Sequence, residues 1–547
     1  MRQNPVPHAS IPGAQPSGIR DGVKAVAVEH AYVEQAVERR RARHSTLSRK
    51  PRFNRHRSLS AMLAIPVACL LLALLRRAWL DIDTAWDSLA YHMPFAAYRA
   101  GIISFSQYRV LPGIETYYRS FPVLTDYLQG WLWKLTSRPA ATNLAAYIAM
   151  LVLIGYLWRA YHLPVTDTTI SFLAIPVVVI QSTSSYIDLL TNCAMTVLVL
   201  YLFRAALWPA RFKVRDLLGA CCAFAIAANC KLPFVPLGTI ALIALVIILC
   251  VSRKELGLIQ RKVDRASASF RIAYLGAILV ALSLAYYKPV QNWREFGNPM
   301  YPVALNAAGI KLPGTIESEG TTPAYLRGEP KMLVWALSVA EYNAFDTRSP
   351  FWTNGQGDVQ WTSPAFRMGG YFGAFVFLNV FWFLFLQHRL KDRFGWRPLV
   401  FVAVMTAITA LLPASHELRY YVYWMLCFVA INLILITHGL RGDERFNIRL
   451  FFLAGAASCL AFGILSNGGT YLKRTGAEPD RLVEGLGIAK KLSDMNLREG
   501  ETVCVTGKDP LTFLYSPVFN PGLASKTHYA VVDEPSPSEC GSNRIVP

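Results

Sequence analysis

Charge is scarce in this chain. Of 547 residues only 16% are charged and 53% are hydrophobic, whereas soluble proteins carry roughly 25% charged residues. That balance excludes an ordinary soluble domain. A cleavable export signal is also missing, because the first apolar segment starts near residue 59 and no small-residue cleavage site follows it. No internal repeat is evident, so the matched broken helices of many transporters have no counterpart here. The ten cysteines form no CxxC or Cys/His metal spacing. Eight of them lie in or beside apolar segments, where a free thiol behaves as a small apolar group. Cys504 and Cys540 fall in a polar tail, where pairing is an option in an oxidising compartment.

What the chain does contain is long apolar runs. A helix needs about 20 residues to cross a bilayer, and runs of that order stand near 59–79, 140–158, 166–186, 188–207, 216–230, 233–252, 270–287, 367–387, 398–414, 420–437 and 449–466. The expectation is an all-α polytopic membrane protein with about eleven spans. The net charge of +20 does not point to nucleic acid, because the cations sit in alternate loops: Arg204, Arg211, Lys213 and Arg215; Arg253, Lys254, Arg261, Lys262 and Arg265; Arg389, Lys391, Arg393 and Arg397; Arg441, Arg445 and Arg449. Such loops face the cytoplasm. The acids lie in the others, which places residues 80–139, 187–188, 289–366, 415–419 and the tail outside, with the N-terminus in and the C-terminus out.

Three regions follow. Residues 1–58 form a basic, disordered cytoplasmic arm suited to anionic lipid. Residues 59–466 form the transmembrane module, with external loops 80–139 and 289–366. Residues 467–547 form a small external α/β unit, with a helical pattern at 480–495 and strand-like stretches at 502–506 and 528–533. In the first loop, Asp87 to Gly101 and an aromatic-rich helix with Tyr127, Trp131 and Trp133 suit the membrane interface. The second loop runs from Gln291 through Phe296-Gly-Asn-Pro-Met-Tyr-Pro302, with a helix near 331–342 and a turn-rich stretch at Asn354–Asp358.

Ionisable groups kept beside hydrocarbon tend to be functional, and four such groups share the external side. Asp81, Asp83 and Asp87 fall within seven residues. Asp81 reads as a helix end and Asp83 as a second candidate. Asp87 has Tyr91 and His92 about one helical turn onward, so a carboxylate there suits a general base for a hydroxyl acceptor. Asp188 follows Tyr186 in a tight turn, either as a helix cap or as a second acid in the same cavity; two such acids could share acid/base work or hold a divalent metal. Lys231 stands where one span ends and the next begins, as a snorkelling lysine or as a fixed cation for phosphate. His416, Arg419 and Tyr420 occupy the other short turn, where the guanidinium fork suits phosphate.

Trp-Asp-Ser-Leu-Ala-Tyr-His-Met-Pro at 86–94 resembles the first-loop signature of bacterial membrane glycosyltransferases of the GT-C fold, the superfamily of protein O-mannosyltransferases and lipid A aminoarabinose transferases. Asp87 matches the first acid of their usual pair, and Ser88 stands where the second is usually found, which places the chain nearer the uncharacterised branch. Phe121-Pro122, the Tyr186/Asp188 turn, Lys231, the 296–302 stretch and Arg419-Tyr420 extend the resemblance over roughly 60–440. It implies a glycosyltransferase that moves a sugar from a polyprenyl-phosphate donor to an acceptor hydroxyl of a lipid, glycan or protein on the periplasmic face of the bacterial inner membrane, with inversion. Asp87 and Asp83 would be catalytic, while Tyr91, His92, Lys231, His416, Arg419 and Tyr420 would bind substrate or phosphate. No cofactor is fixed by the sequence, with a divalent metal as the one option. The alternatives are a transporter or lipid-carrier flippase, and a structural membrane protein with an exported cap.

Overall fold

The computed structural model describes residues 55–252, 268–307, 310–317, 328–340, 370–466, 472–507 and 510–546. The arm before residue 55, the cations Arg253, Lys254, Arg261, Lys262 and Arg265, and the Asn354–Asp358 stretch lie outside the described residues. Residues Met1–Leu59 separate from one compact unit, Ser60–Pro547.

Each of the eleven apolar runs meets a helical segment. The spans begin with α1 (Arg55–Leu80), which leads into a π-helical turn (Ser88–His92), α2 (Met93–Arg99), α3 (Pro112–Ser120) and α4 (Leu124–Thr136) of the first loop. Then come α5 (Leu144–Tyr161), α6 (Val165–Leu173), α7 (Pro176–Gln181), α8 (Asp188–Leu207), α9 (Val214–Cys230), α10 (Phe234–Val251) and α11 (Ala268–Phe296). The series closes with α12 (Lys331–Val339), α13 (Gly373–Arg389), α14 (Arg397–Leu411), α15 (Tyr423–Gly439) and α16 (Gly442–Ser466). Among the described residues six helices are long and apolar enough to cross a membrane, and α14 and α15 are apolar but shorter. The run at 166–186 is broken rather than continuous. Pro176 has no N–H to continue a helix but fits the first turn of the next.

Helix α8 is the hub, packing against α5, α9, α10, α14 and α15. Two of its threonines return their hydrogen bonds locally: Thr191 Oγ1 donates to the Ile187 carbonyl at 2.8 Å and Thr196 Oγ1 to that of Asn192 at 2.7 Å. Helix α15 is buried almost all round, so it is apolar on every face. Its Asn432 donates to the Asn379 carbonyl of α13 at 3.0 Å, the kind of interhelical bond that fixes pairs of helices in lipid.

The first loop and the tail share one core. The tail folds as α17 (Pro479–Gly485), α18 (Ile488–Asp494) and the strands β5 (Glu501–Thr506), β6 (Tyr529–Glu534) and β7 (Arg544–Ile545). Strand β1 (Tyr108–Arg109) of the first loop adds to them in a parallel sheet of order β1-β6-β5-β7, with Tyr108 opposite Val531. Around it Leu89, Met93, Tyr108 and Trp133 pack with Val503, Phe513, Phe519 and Val531. The helical pattern at 480–495 divides at Gly487, whose φ of +64° favours glycine. Cys504 and Cys540 are joined by a disulfide across 36 residues; in the chain-entropy picture a loop of that size gains about 3–5 kcal/mol. Asp81 ends α1 and also ties down the tail, accepting from Arg474 at 2.9 Å and from the Thr475 N–H at 2.7 Å. Within the loop, Gly130 lets α4 lie directly on α2, since a Cβ there would stand 2.2 Å from the Ala96 carbonyl oxygen. The opposite face of α4 exposes Tyr127, Leu128, Trp131 and Leu135, as an interfacial helix should. The second loop holds a small sheet of β2 (Val303–Ala307), β3 (Ile310–Leu312) and β4 (Ile316–Glu317).

Away from the site, Arg449 of α16 grips Asp167 of α6 with two bonds at 2.5 and 2.7 Å, and also donates to Ser60 Oγ at 2.7 Å. Both charges are buried. Breaking such a pair on one side costs about 3–5 kcal/mol, because the remaining charge is uncompensated. Asp167→Ala should therefore lower thermal stability in detergent more than the double variant Asp167→Ala/Arg449→Leu. Equal or smaller loss in the single variant would show that pairing is not what holds these helices.

Candidate active site

The site forms where three connections meet at one end of α8. The first is the turn after α1. Asp87 occupies the N-cap position of the π-turn but makes no capping bond with its side chain. Asp83 braces the approach to it instead, accepting from the Ala85 N–H at 3.1 Å and from Ser88 Oγ at 2.5 Å. Its second oxygen also accepts the Ser185 N–H at 3.2 Å, stitching the first loop to the 182–187 connection. Asp87 is thereby left to face across the site, where it meets Arg419 Nη1 at 2.9 Å. One-turn π segments of this kind recur at functional sites.

The second connection begins α8 with Asp188, which forms an ion pair with Lys231 from the α9–α10 junction. The third is the turn Leu418–Tyr421 before α15. It is pinned to α8 by Asn192, whose Nδ2 donates to the carbonyls of Arg419 and Tyr420, both at 3.3 Å, and whose Oδ1 accepts the Tyr423 N–H at 2.8 Å. The Tyr371 hydroxyl lies 3.0 Å from the Leu418 carbonyl and 2.9 Å from that of Tyr421. Lys231 Nζ sits 3.7 Å above the Tyr420 ring, and the Arg419 guanidinium lies 5.0 Å from the rings of both Tyr186 and Tyr420. Two carboxylates and two cations thus alternate against aromatic faces, each charge stabilised by its neighbour.

Tyr91 forms part of an aromatic wall, 6.1 Å from Trp86, 6.1 Å from Phe121 and 6.4 Å from Tyr117. His92 is buried behind it, with its ring 6.0 Å from Tyr186. His416 is buried on the third connection. The structure therefore brings Asp87, Tyr91, His92, Asp188, Lys231, Arg419 and Tyr420 together, and gives Asp83 to the scaffold beside them. Sequence reasoning passed over Asn192 and Glu417 as site residues, and named Tyr186 only as part of the turn that carries Asp188. The signals were there: Asn192 lies one helical turn after Asp188, and Glu417 two residues before Arg419.

The electrostatics follow from burial and pairing. Burial pushes the Asp87 carboxyl up, but the Arg419 guanidinium, by charge and by hydrogen bond, pulls harder with Lys231 behind it, and together they hold it below its ordinary value. Burial raises the Asp83 carboxyl despite its hydrogen bonds. Burial takes His92 down to about 4 against the pull of Asp87 and Asp188, so it is neutral at pH 7. Burial lowers Lys231, with Asp188 opposing. Glu417 is lifted by burial to about 7, with Arg419 opposing. Among the described residues no group of three or more His, Cys, Asp or Glu side chains converges as metal ligands would.

No protein-family model and no curated protein matches the chain. Among solved structures it is similar to ArnT from Cupriavidus metallidurans. The apo crystal structure is 14% identical with a TM-score of 0.46, covering 87% of this chain and 89% of that one. The structure bound to undecaprenyl phosphate is 13% identical with a TM-score of 0.48, covering 87% and 90%.

Asp188 is the strongest influence opposing the burial that lowers the Lys231 pKa. In Asp188→Asn the ammonium loses its counter-charge and its pKa falls further, so more of the amine is neutral at pH 8. Lys231 should then react several-fold faster with an acylating reagent, read by peptide mass spectrometry. An unchanged rate would show that Asp188 does not set the charge of Lys231.

Proposed function

We propose that the protein is an inverting membrane glycosyltransferase that moves a sugar from a polyprenyl-phosphate donor to an acceptor hydroxyl at the external face of a bacterial inner membrane. The observation that carries this reading is the pairing of Asp87 with Arg419 beside Asp188 and Lys231, at the mouth of a membrane-embedded helix bundle. Arg419 and Lys231 would receive the donor phosphate. The Asp87 carboxylate would accept a hydrogen bond from the acceptor hydroxyl. The wall of Trp86, Tyr91, Tyr117 and Phe121 offers apolar faces for a sugar ring.

An apolar cavity of about 560 Å³ between α8, α10 and α14 supports room for a lipid chain. It is lined by residues such as Met195, Leu237, Ala241 and Met405, and it extends from Tyr423, next to the Asn192 anchor, to Trp396 and Arg397 at the far end of α14. The resemblance of 86–94 to the GT-C first-loop signature points the same way.

Glycosyl transfer passes through an oxocarbenium-like state in which charge builds on the leaving oxygen. Fixed cations aimed at that oxygen lower the barrier, and losing one such donor typically costs about 100- to 1000-fold in rate. A charged pair held in place before substrate arrives needs no reorganisation during the reaction.

Purified protein should release undecaprenyl phosphate from a tail-labelled undecaprenyl-phosphate sugar when acceptor is supplied. Asp87→Asn should lower that release at least about 100-fold while expression and membrane insertion stay near those of the unaltered protein. Translocation of the intact donor without release would instead mark a flippase, and near-normal release by Asp87→Asn would remove Asp87 from the chemistry.

A further inference from the structure

Two of the three carboxylates in this cluster are already engaged, Asp87 with Arg419 and Asp188 with Lys231. Glu417 is not. It precedes the turn that carries Arg419 and Tyr420, and its main chain is fully held: its N–H donates to the Ala414 carbonyl at 3.1 Å, and its carbonyl accepts the Tyr420 N–H at 2.9 Å. Its carboxylate makes no hydrogen bond or ion pair among the described residues. The backbone leading to it is strained, since Ala414 has a φ of +51°, a region that a residue with a side chain seldom occupies without compensation. Such outliers cluster at functional sites. Among the described residues, this carboxylate is positioned by its backbone rather than by a partner.

The charged groups facing Glu417 are Arg419, Asp87, Lys231 and Asp188, with Tyr420 on the same turn. Asp87 is poorly suited to keep a proton, because Arg419 favours its ionised form. A base works best when its own pKa is near the working pH, and burial places Glu417 at about 7.

Resting on the glycosyl-transfer reading, we infer that Glu417 is the residue that finally takes the acceptor hydroxyl proton. The acceptor oxygen forms a bond to the anomeric carbon with its own electron pair. The bond from that carbon to the phosphate oxygen breaks, and its electron pair leaves with the polyprenyl phosphate held by Arg419 and Lys231. The hydroxyl proton, oriented by Asp87, ends on the Glu417 carboxylate as a neutral acid and is later lost to external water. Asp87 is then the orienting acceptor and Glu417 the proton sink.

The test uses full-length protein in lipid nanodiscs, tail-tritiated undecaprenyl-phosphate-linked hexose and pentose donors, and an envelope glycolipid extract as acceptor. Because the base must be ionised, kcat/KM of the unaltered protein should rise through pH of about 7 and then level off. Glu417→Gln should lower kcat/KM about 100-fold or more at pH 8, and its residual activity should lose that rise. Glu417→Asp should keep a rise, displaced to lower pH. Folding gives an independent readout. A carboxyl raised from 4.5 to about 7 destabilises the folded form as pH climbs through that window, so Glu417→Gln should melt no lower than the unaltered protein at pH 8. Full activity in Glu417→Gln, or reduced activity with the rise intact, overturns the inference. Failure of the unaltered protein to release undecaprenyl phosphate from any donor overturns the glycosyl-transfer reading itself, and the inference with it.

Discussion

Asp87 and Arg419 stand 332 residues apart in sequence and 2.9 Å apart in space, and much of the molecule serves to keep them so. A charge beside hydrocarbon is costly unless it is paired. That requirement explains why the first loop, the head of α8 and the turn before α15 converge. Each contributes a charge that the others compensate. Asn192 supplies the rigid link, binding the carbonyls next to Arg419 on one side and the start of α15 on the other. The fully buried helix α15 then anchors that turn to the bundle core. Neither ion pair would hold its geometry if α8 and α15 were free to slide.

The fold was largely written in the apolar pattern, because a bilayer demands length and hydrophobicity that few other constraints imitate. Pro176 even marks the point where one run breaks in two. What the pattern did not contain was the union of the first loop with the tail. Strand β1 is two residues long, and nothing in Tyr108-Arg109 announces a strand until β6 is there to pair with it. The same holds for Asp81, which reads locally as a helix end and gains its second role only from Arg474 and Thr475.

The site was legible in its membership more than in its roles. Position along the chain and shared sidedness singled out Asp87, Asp188, Lys231 and Arg419. Which acid braces the loop and which pairs across the site depends on a few ångströms: Asp83 holds Ala85, Ser88 and Ser185 while Asp87 reaches Arg419. Glu417 escaped notice for a related reason. Its distinction is that its carboxylate makes no hydrogen bond or ion pair among the described residues, and that shows only in three dimensions.

The parallel sheet that joins β1 to β6 also has a consequence in time. Chains emerge from the ribosome N-terminus first, and folding units tend to form in that order. Here α1 and the first loop are made early, yet the strand that completes their sheet arrives more than four hundred residues later. Until then Leu89, Met93, Tyr108 and Trp133 lack the partners that bury them. The loop bearing Asp87 therefore cannot complete its core until the last part of the chain has been made.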